Sequence, residues 1–300
     1  MQDKLLTSFA QKHHLEYLTA PSLIALSEGQ RGYSLNKAKR FRKFQRRINT
    51  ELLKHRVIID NPYTAWFELG DQSLAQIKAF IIQFSVFSNQ FLIAQLNKMI
   101  HAETLESMRA SKEILANEIG VRFKPAAQSN GEGISGLTEG SIEGGVFHFG
   151  AGHFEWLYYI AKKLGLSFAE IGQPKHGTGA TLFFCNELIR LYGGNDYQIS
   201  QAASYAVENW AAAGFWRQLI KGFKGFNEST GSNLPLGFFT WHDQLESQHA
   251  AHTQEELEEL YFTLELDEGG FIHYGNEMLD GVAAFWDGLD EQRRELAAAH

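Results

Sequence analysis

The sequence contains little cysteine and little proline, and each scarcity excludes a class of protein. Cys185 is the one cysteine in 300 residues, which rules out an internal disulfide framework and a cysteine-rich metal site. Only 5 prolines are present, and abundant Ala, Leu and Glu favour helices over a β-sandwich or barrel. The formal net charge of -8 argues against a general nucleic-acid-binding surface.

Long uninterrupted apolar runs are also missing. No apolar stretch follows the N-terminus, so no signal peptide is expected. The most apolar window, Ala79 to Leu96, is interrupted by glutamine and asparagine, so no membrane span is predicted. We expect a cytoplasmic protein that does not associate with membranes, with a core built from its 44% hydrophobic residues.

The chain divides by charge into a basic segment, residues 1–60, and a main domain, residues 61–300. Seven cations lie within eleven positions of the first segment: Lys37, Lys39, Arg40, Arg42, Lys43, Arg46 and Arg47. They could bind an anion or an acidic partner, but a solvated helix face is the favoured interpretation. Residues 1–60 are therefore predicted to form a basic helical extension.

Helical patterns account for most of the remaining chain. A capping box, Ser73-x-x-Gln76, begins a helix whose apolar periodicity and propensity continue to Glu118, and Gly120 is a stop signal. Further helices are predicted at 153–164, 180–192, 197–223 and 238–252, at a capping box starting at Thr253, and from Glu277 towards Leu289. No convincing strand is predicted, so the fold class is all-α, with seven or more helices.

A glycine-rich insert at residues 129–152 interrupts the helical pattern. Gly131–Gly152 contain eight glycines, which exclude a regular helix. The insert has neither a phosphate-binding loop motif nor the strand–glycine–helix context of a dinucleotide site. It is interpreted either as a lid over a site or as a loose surface loop.

The sharpest chemical motif is His242-x-x-x-Glu246-x-x-His249. At about 100° per residue, the three side chains project from one helix face within about 40° of His242. Two imidazoles and a carboxylate form half of a site for a divalent metal, iron above all, although zinc would also accept them. The alternative is a polar helix face with incidental histidines.

A second carboxylate, Glu208, lies in a helix of mostly small and apolar residues. A carboxylate buried there needs a metal, a proton or a cation such as Arg217. The sequence is compatible both with a metal ligand and with a salt bridge at this position.

These motifs together resemble the haem-oxygenase-like di-iron oxidases and oxygenases, which share a helical bundle with TenA-like and CADD-like proteins. In that family a lone Glu precedes the His-x-x-x-[Asp/Glu]-x-x-His helix, a His lies further upstream, and an earlier helix supplies another Glu. His153 precedes Glu208 by 55 residues, and Glu118 begins a Glu-Ile-Gly ending typical of the family. The resemblance implies the metal ligands Glu118, His153, Glu208, His242, Glu246 and His249.

Two departures from the family pattern bear on the site. Glu118 and His153 are 35 residues apart, separated by the insert, where many members keep them close. Some N-oxygenating members have a similar insertion with an extra carboxylate, which makes Glu143 a candidate seventh ligand, although Glu132 and Glu139 share the loop. Most members also use Asp where this chain has Glu246.

The resemblance implies two ferrous ions with dioxygen as co-substrate. The first hypothesis is an oxygenase acting on a small amine- or amino-acid-like substrate, by N-oxygenation or by oxidative C–C or C–N cleavage. A second is a fatty-acid oxidative decarboxylase that forms a terminal alkene, and a third is a metal-free binding protein on the same fold. The expected partner is a small-molecule substrate, with no nucleic acid and no membrane, and a homodimer is one candidate assembly.

Overall fold

The computed structural model describes the backbone of residues 2–125 and 145–299, and side chains at 4–105, 107–121, 150–244 and 253–299. Within these ranges the chain forms thirteen α-helices and one β-hairpin. The helices are α1 (Gln2–His13), α2 (Ala20–Ser27), α3 (Leu35–Arg47), α4 (Arg56–Ile59), α5 (Pro62–Phe67), α6 (Leu74–Ile100), α7 (Leu105–Glu118), α8 (His153–Lys163), α9 (Gly179–Glu187), α10 (Tyr197–Ala211), α11 (Phe215–Thr230), α12 (Gly237–Thr263) and α13 (Glu268–Ala298). The predicted all-α bundle is confirmed.

Helix α6 packs in the middle of the bundle, against α7, α8, α9 and α13. Its predicted capping box is present, since Ser73 Oγ accepts from the Gln76 amide and Gln76 Oε1 accepts from the Ser73 amide. The apolar positions Ile77, Ile81 and Phe84 are buried, as the periodicity predicts. Each such side chain contributes roughly 1.5–3 kcal/mol by leaving water.

Helix α6 is also the one helix in the described part of the chain that could cross a membrane by length and composition. Half of its most apolar window is buried inside the protein. Gln83 and Gln95 in this helix are buried and donate to the carbonyls of His176 and Ser111. These contacts are those of a core helix.

Two helices predicted as continuous are each divided. The helix predicted over 73–118 ends at Ile100, and α7 begins anew because Thr104 Oγ1 accepts from the Ser107 amide as a second N-cap. The helix predicted over 197–223 breaks at Gly214, whose φ of +90° lies in the left-handed region. Both predictions were wrong because they relied on helical propensity, which stays high on both sides of the position where the helix ends.

Two helices are longer than predicted. The capping box at Thr253 is expected to begin a helix, but α12 runs unbroken through it. No glycine or proline lies just before Thr253 to end the preceding helix. The last helix begins at Glu268, well before Glu277, where Asp267 Oδ1 accepts from the amides of Gly269 and Gly270. An N-cap followed by two glycines was not recognised in the sequence as a helix start.

The expectation that no strand would form was wrong at the two ends of the insert. Strands β1 (Val121–Pro125) and β2 (Gly145–Phe149) pair antiparallel, with Val121 opposite Phe149 and Pro125 opposite Gly145. The rest of the insert, with Glu132, Glu139 and Glu143, lies outside the described residues. The pairing of β1 with β2 places the end of α7 near the start of α8.

The basic helix α3 packs on the same core as the main domain. The Phe41 ring lies 5.0 Å from that of Tyr261 between centroids. Lys37 Nζ donates to the carbonyls of Phe262 and Leu264 at 3.0 and 3.1 Å, where a cation suits the C-terminus of α12. The division of the chain at residue 60 stays a prediction.

Candidate metal centre

Two glycines bring the end of α7 against the start of α8. Gly120 has a φ of +71°, and a Cβ there would lie 2.5 Å from the Gly150 carbonyl oxygen. A Cβ on Gly152 would lie 2.6 Å from the Glu118 carbonyl oxygen. Only glycine permits this close backbone approach, which places Glu118 beside His153 although 35 residues separate them.

Glu118 and His153 contact each other in a largely buried part of the site. Glu118 Oε2 lies 2.9 Å from His153 Nδ1, and the two side chains are 12% and 5% exposed. Nevertheless, Nδ1 makes no hydrogen bond with suitable geometry. A buried ring nitrogen without a hydrogen bond costs about 1–3 kcal/mol of folding free energy. His153 Nδ1 and Glu118 Oε2 are therefore better suited to binding a third group that they share.

His242 on α12 completes a cluster of three potential ligands. One donor atom each from Glu118, His153 and His242 lies within 4.8 Å of the others. Donors bound to one ion at about 2.1 Å are separated by about 3–4 Å, so small side-chain rotations would suffice. The donor set, one carboxylate and two imidazoles, fits a divalent transition metal.

The orientation of the His242 ring is set by α12 itself. Its Nδ1 lies 2.6 Å from the Phe238 carbonyl oxygen, one turn earlier in the helix. A proton on Nδ1 donated to this carbonyl leaves Nε2 as the nitrogen with a lone pair for a metal. This carbonyl–imidazole contact is typical of histidines that bind metals.

Aromatic rings surround the two imidazoles. Trp216 stacks on His242 with centroids 4.6 Å apart and planes at 24°. Trp241 meets the His153 ring edge-on at 4.5 Å, and Phe238 lies 5.9 Å from the same ring. Such surroundings limit water and lower the local dielectric, which strengthens binding between charged ligands and a cation.

Glu208 lies on the face of α10 that also carries Ser204. Its predicted alternative partner, Arg217, pairs with Asp243 at 3.1 Å. The cation whose pKa responds to Glu208 is Lys98 of α6, where burial lowers the pKa of the ammonium and the carboxylates of Glu256 and Glu208 oppose that effect. The charge of Glu208 therefore acts on a lysine that the sequence did not single out.

The buried phenol of Tyr192 is affected by the charges of two of the three predicted carboxylate ligands. Burial raises the pKa of its phenol well above the usual value, and the negative charges of Glu208, Glu256 and, least, Glu118 raise it further. Its hydroxyl donates to Gln95 Oε1 at 2.6 Å. Both carboxylates therefore lie within electrostatic reach of one buried phenol.

The remaining predicted ligands are untested. Glu246 and His249 lie within helix α12, but their side chains are outside the described residues, and so is all of Glu143. The six-residue ligand set stays a prediction, of which Glu118, His153 and His242 are the members that the structure brings together.

Lys98 and Trp216 were missed by the sequence analysis. Lys98 is a single cation near the end of a long apolar helix, and an isolated charge of this kind is a usable sequence signal. Trp216 gave no signal, because a tryptophan in an aromatic-rich helix is usually core.

No family model and no curated protein matches the sequence. Two crystal structures of a CADD-like protein of unknown function from Nostoc punctiforme PCC 73102 match 87% of this chain and 99% and 96% of theirs, at TM-scores of 0.55 and 0.54 and identities of 16% and 15%. A domain of unknown function with a heme oxygenase-like fold, from Shewanella denitrificans OS217, matches 87% of this chain and 95% of its own at a TM-score of 0.55 and 13% identity. The chain therefore has the haem-oxygenase-like helical fold.

Proposed function

We propose that the protein is a non-haem di-iron oxygenase or oxidase that acts on a small amine- or amino-acid-like substrate. The observation that carries the proposal is the cluster of Glu118, His153 and His242, whose donor atoms lie within 4.8 Å of one another. The orphaned Nδ1 of His153 beside the Glu118 carboxylate supports a metal there rather than a simple ion pair.

In the proposed centre the ligands are Glu118, His153, Glu208, His242, Glu246 and His249. Iron bound to them would supply the redox chemistry that activates dioxygen. The three carboxylates would favour the higher oxidation state of iron, and the neutral imidazoles would leave coordination positions open for exchangeable ligands.

The chain's own residues hold and shield this set. The Phe238 carbonyl orients the His242 ring through Nδ1, and Trp216 stacks on the same ring and restricts its rotation. Trp156 and Trp241 pack around His153 and exclude water from its ring. This support keeps the donors close to the geometry that a metal requires.

The proposed substrate class rests on the sequence resemblance rather than on a cavity. The insert and Glu143 favour N-oxygenation or oxidative C–C or C–N cleavage over decarboxylation of a fatty acid. The test is therefore a comparison of products, with amines and amino acids in one panel and saturated fatty acids in the other.

The first experiment measures iron bound to protein produced in iron-supplemented medium. We expect about two ions per chain, and His153→Ala should lose bound iron and oxygen consumption together. His273→Ala is the matched control, because His273 is exposed on α13. Absence of iron from the wild-type protein would favour a metal-free binding protein.

The second experiment mixes the anaerobic ferrous protein with oxygen and each candidate substrate. Faster oxygen consumption with one amine or amino acid, together with an oxidised product in mass spectrometry, would support the proposal. A terminal alkene formed from a fatty acid would replace it with the decarboxylase.

A further inference from the structure

A continuous series of aromatic rings leads away from the metal cluster through the core. It begins at Trp216, which stacks on the His242 ring with centroids 4.6 Å apart. The next ring is Phe215, 4.4 Å from Trp216, and Trp286 of α13 lies 5.4 Å from Phe215. Trp216, Phe215 and Trp286 are all buried, so this part of the series has no contact with solvent.

The series continues from Trp286 to helix α5 and ends at the surface. The buried Tyr63 ring lies 5.6 Å from Trp286 between centroids, and Trp66 lies 5.4 Å from Tyr63. Trp66 is partly exposed. The guanidinium of Arg293 lies over the Trp66 ring at 4.4 Å, and its charge is balanced by Asp290. Three indoles, each separated from the next by one ring, therefore connect His242 with solvent.

Packing alone does not explain the indole at Trp286. Its Nε1 is buried and has no hydrogen-bond partner among the described residues, and the same holds for Trp210, whose ring stacks on Phe215. Buried indole N–H groups usually have a partner, because an unpaired one costs folding free energy. A phenylalanine would fill much of the same space without that cost. What an indole has and a phenyl ring lacks is the ability to give up an electron readily.

The unpaired N–H group also suits an indole that passes an electron on. An indole that has lost one electron is a radical cation, and it releases its N–H proton when an acceptor is within reach. No described group accepts a hydrogen bond from Trp286 Nε1. The oxidised ring therefore keeps its proton, and a single electron from the next indole restores it.

We propose that Trp216, Trp286 and Trp66 carry single electrons from a reductant at the surface, of the ascorbate or thiol type, to the metal centre when it is oxidised in the absence of substrate. Each transfer takes one electron from the reductant, which releases a proton to water, and lowers the oxidation state of the centre by one unit. The three indoles return to their starting state, and no bond in the protein forms or breaks. Electron transfer slows steeply with distance, so short steps between neighbouring indoles are faster than one long step.

This inference rests on the proposed function for the oxidising centre, and it adds residues that protect that centre. Without a path for electrons, an oxidised centre that lacks substrate would take them from the nearest side chains. Those side chains are its own ligand His242 and the Trp216 ring stacked on it. Damage there would inactivate the protein, whereas oxidation at Trp66 is far less harmful because this ring lies at the surface.

The experiment exposes iron-loaded protein to oxygen without substrate, and locates oxidised side chains by peptide mass spectrometry with and without ascorbate. In the wild type we expect oxidation products at Trp66, where oxygen and water reach the ring, and ascorbate should suppress them. Trp286→Phe keeps a ring in the core but interrupts the series of indoles. Its oxidation products should shift from Trp66 to Trp216 and His242, and ascorbate should no longer protect.

Trp210→Phe is the matched control. The Trp210 indole is as buried as that of Trp286 and its Nε1 is likewise unpaired, but it lies beside the series and not between Trp286 and Trp66. This variant should keep the wild-type distribution of products. If Trp286→Phe does not fold, Trp66→Phe at a partly exposed position replaces it. Re-reduction of the ferric protein by ascorbate, followed by absorbance, should then be slower than in the wild type.

A shift of the products towards His242 in Trp286→Phe, and not in Trp210→Phe, would support the inference. The same distribution in Trp286→Phe and the wild type, an equal shift in Trp210→Phe, or unchanged re-reduction in Trp66→Phe would overturn it and leave the proposed function intact. A protein that bound no iron or consumed no oxygen would overturn both.

Discussion

Replacing Gly120 by alanine tests whether the contact between α7 and α8 builds the metal site. The substitution forces a side chain onto a residue with a φ of +71°, a cost of about 1–2 kcal/mol. It also puts a Cβ 2.5 Å from the Gly150 carbonyl oxygen and 2.8 Å from the Gly152 amide nitrogen, both of them backbone atoms that cannot rotate aside. Relieving this overlap by moving the backbone costs about a further 1–3 kcal/mol.

Gly165 offers a matched control for the free-energy cost of placing a side chain on a residue with a positive φ. Its φ is +76°, but a Cβ there would have no atom within 4 Å. Gly165→Ala should therefore lose about 1–2 kcal/mol in urea unfolding and bind iron like the wild type. Gly120→Ala should lose about 2–5 kcal/mol and bind the first ferrous ion at least tenfold more weakly, because Glu118 moves away from His153.

The difference between Gly120→Ala and Gly165→Ala measures the effect of the close backbone approach apart from that of the positive φ. The measurements are urea unfolding of the metal-free proteins and anaerobic titration with ferrous iron. If Gly120→Ala were no less stable than Gly165→Ala and bound iron normally, the close approach would not be what positions the ligands.

Two other predictions concern residues outside the metal site. Glu258 is fully buried and accepts hydrogen bonds from the amide and hydroxyl of Thr19, so Glu258→Gln should destabilise the protein by about 1–3 kcal/mol in urea unfolding. Glu259→Gln at the exposed neighbouring position should be neutral, and equal effects of the two would contradict the reasoning. Burial raises the pKa of the Cys185 thiol to about 12, so Ellman's reagent at pH 8 should label it only after unfolding. Full labelling of the native protein would show that the thiol is accessible.

Local sequence features predicted the helices that they directly control. The capping box at Ser73 and the spacing of Ile77, Ile81 and Phe84 correctly identified α6 as a core helix. The capping-box pattern at Thr253 predicted a helix start that does not exist, because a Ser/Thr-x-x-Glu pattern occurs inside helices as well as at their starts. Its meaning depends on whether the preceding residues are already helical, which a short motif does not contain.

The candidate site was predicted in part. His242 was identified from helical spacing within α12, and Glu118 and His153 came from the family resemblance. No spacing rule relates residues on opposite sides of a long insert. Their separation depends on the approach of Gly120 to Gly150 and Gly152, which is a contact between distant segments.

The sequence by itself determined a mostly helical chain without an internal disulfide, and it predicts a shared helix face for His242, Glu246 and His249, because these follow from composition and from the helical period. Only the tertiary structure decided that Glu118 meets His153, and that Arg217 pairs with Asp243. Helical periodicity specifies the direction in which a side chain points around the axis of its helix. Which groups come together from different helices depends on how the whole core packs.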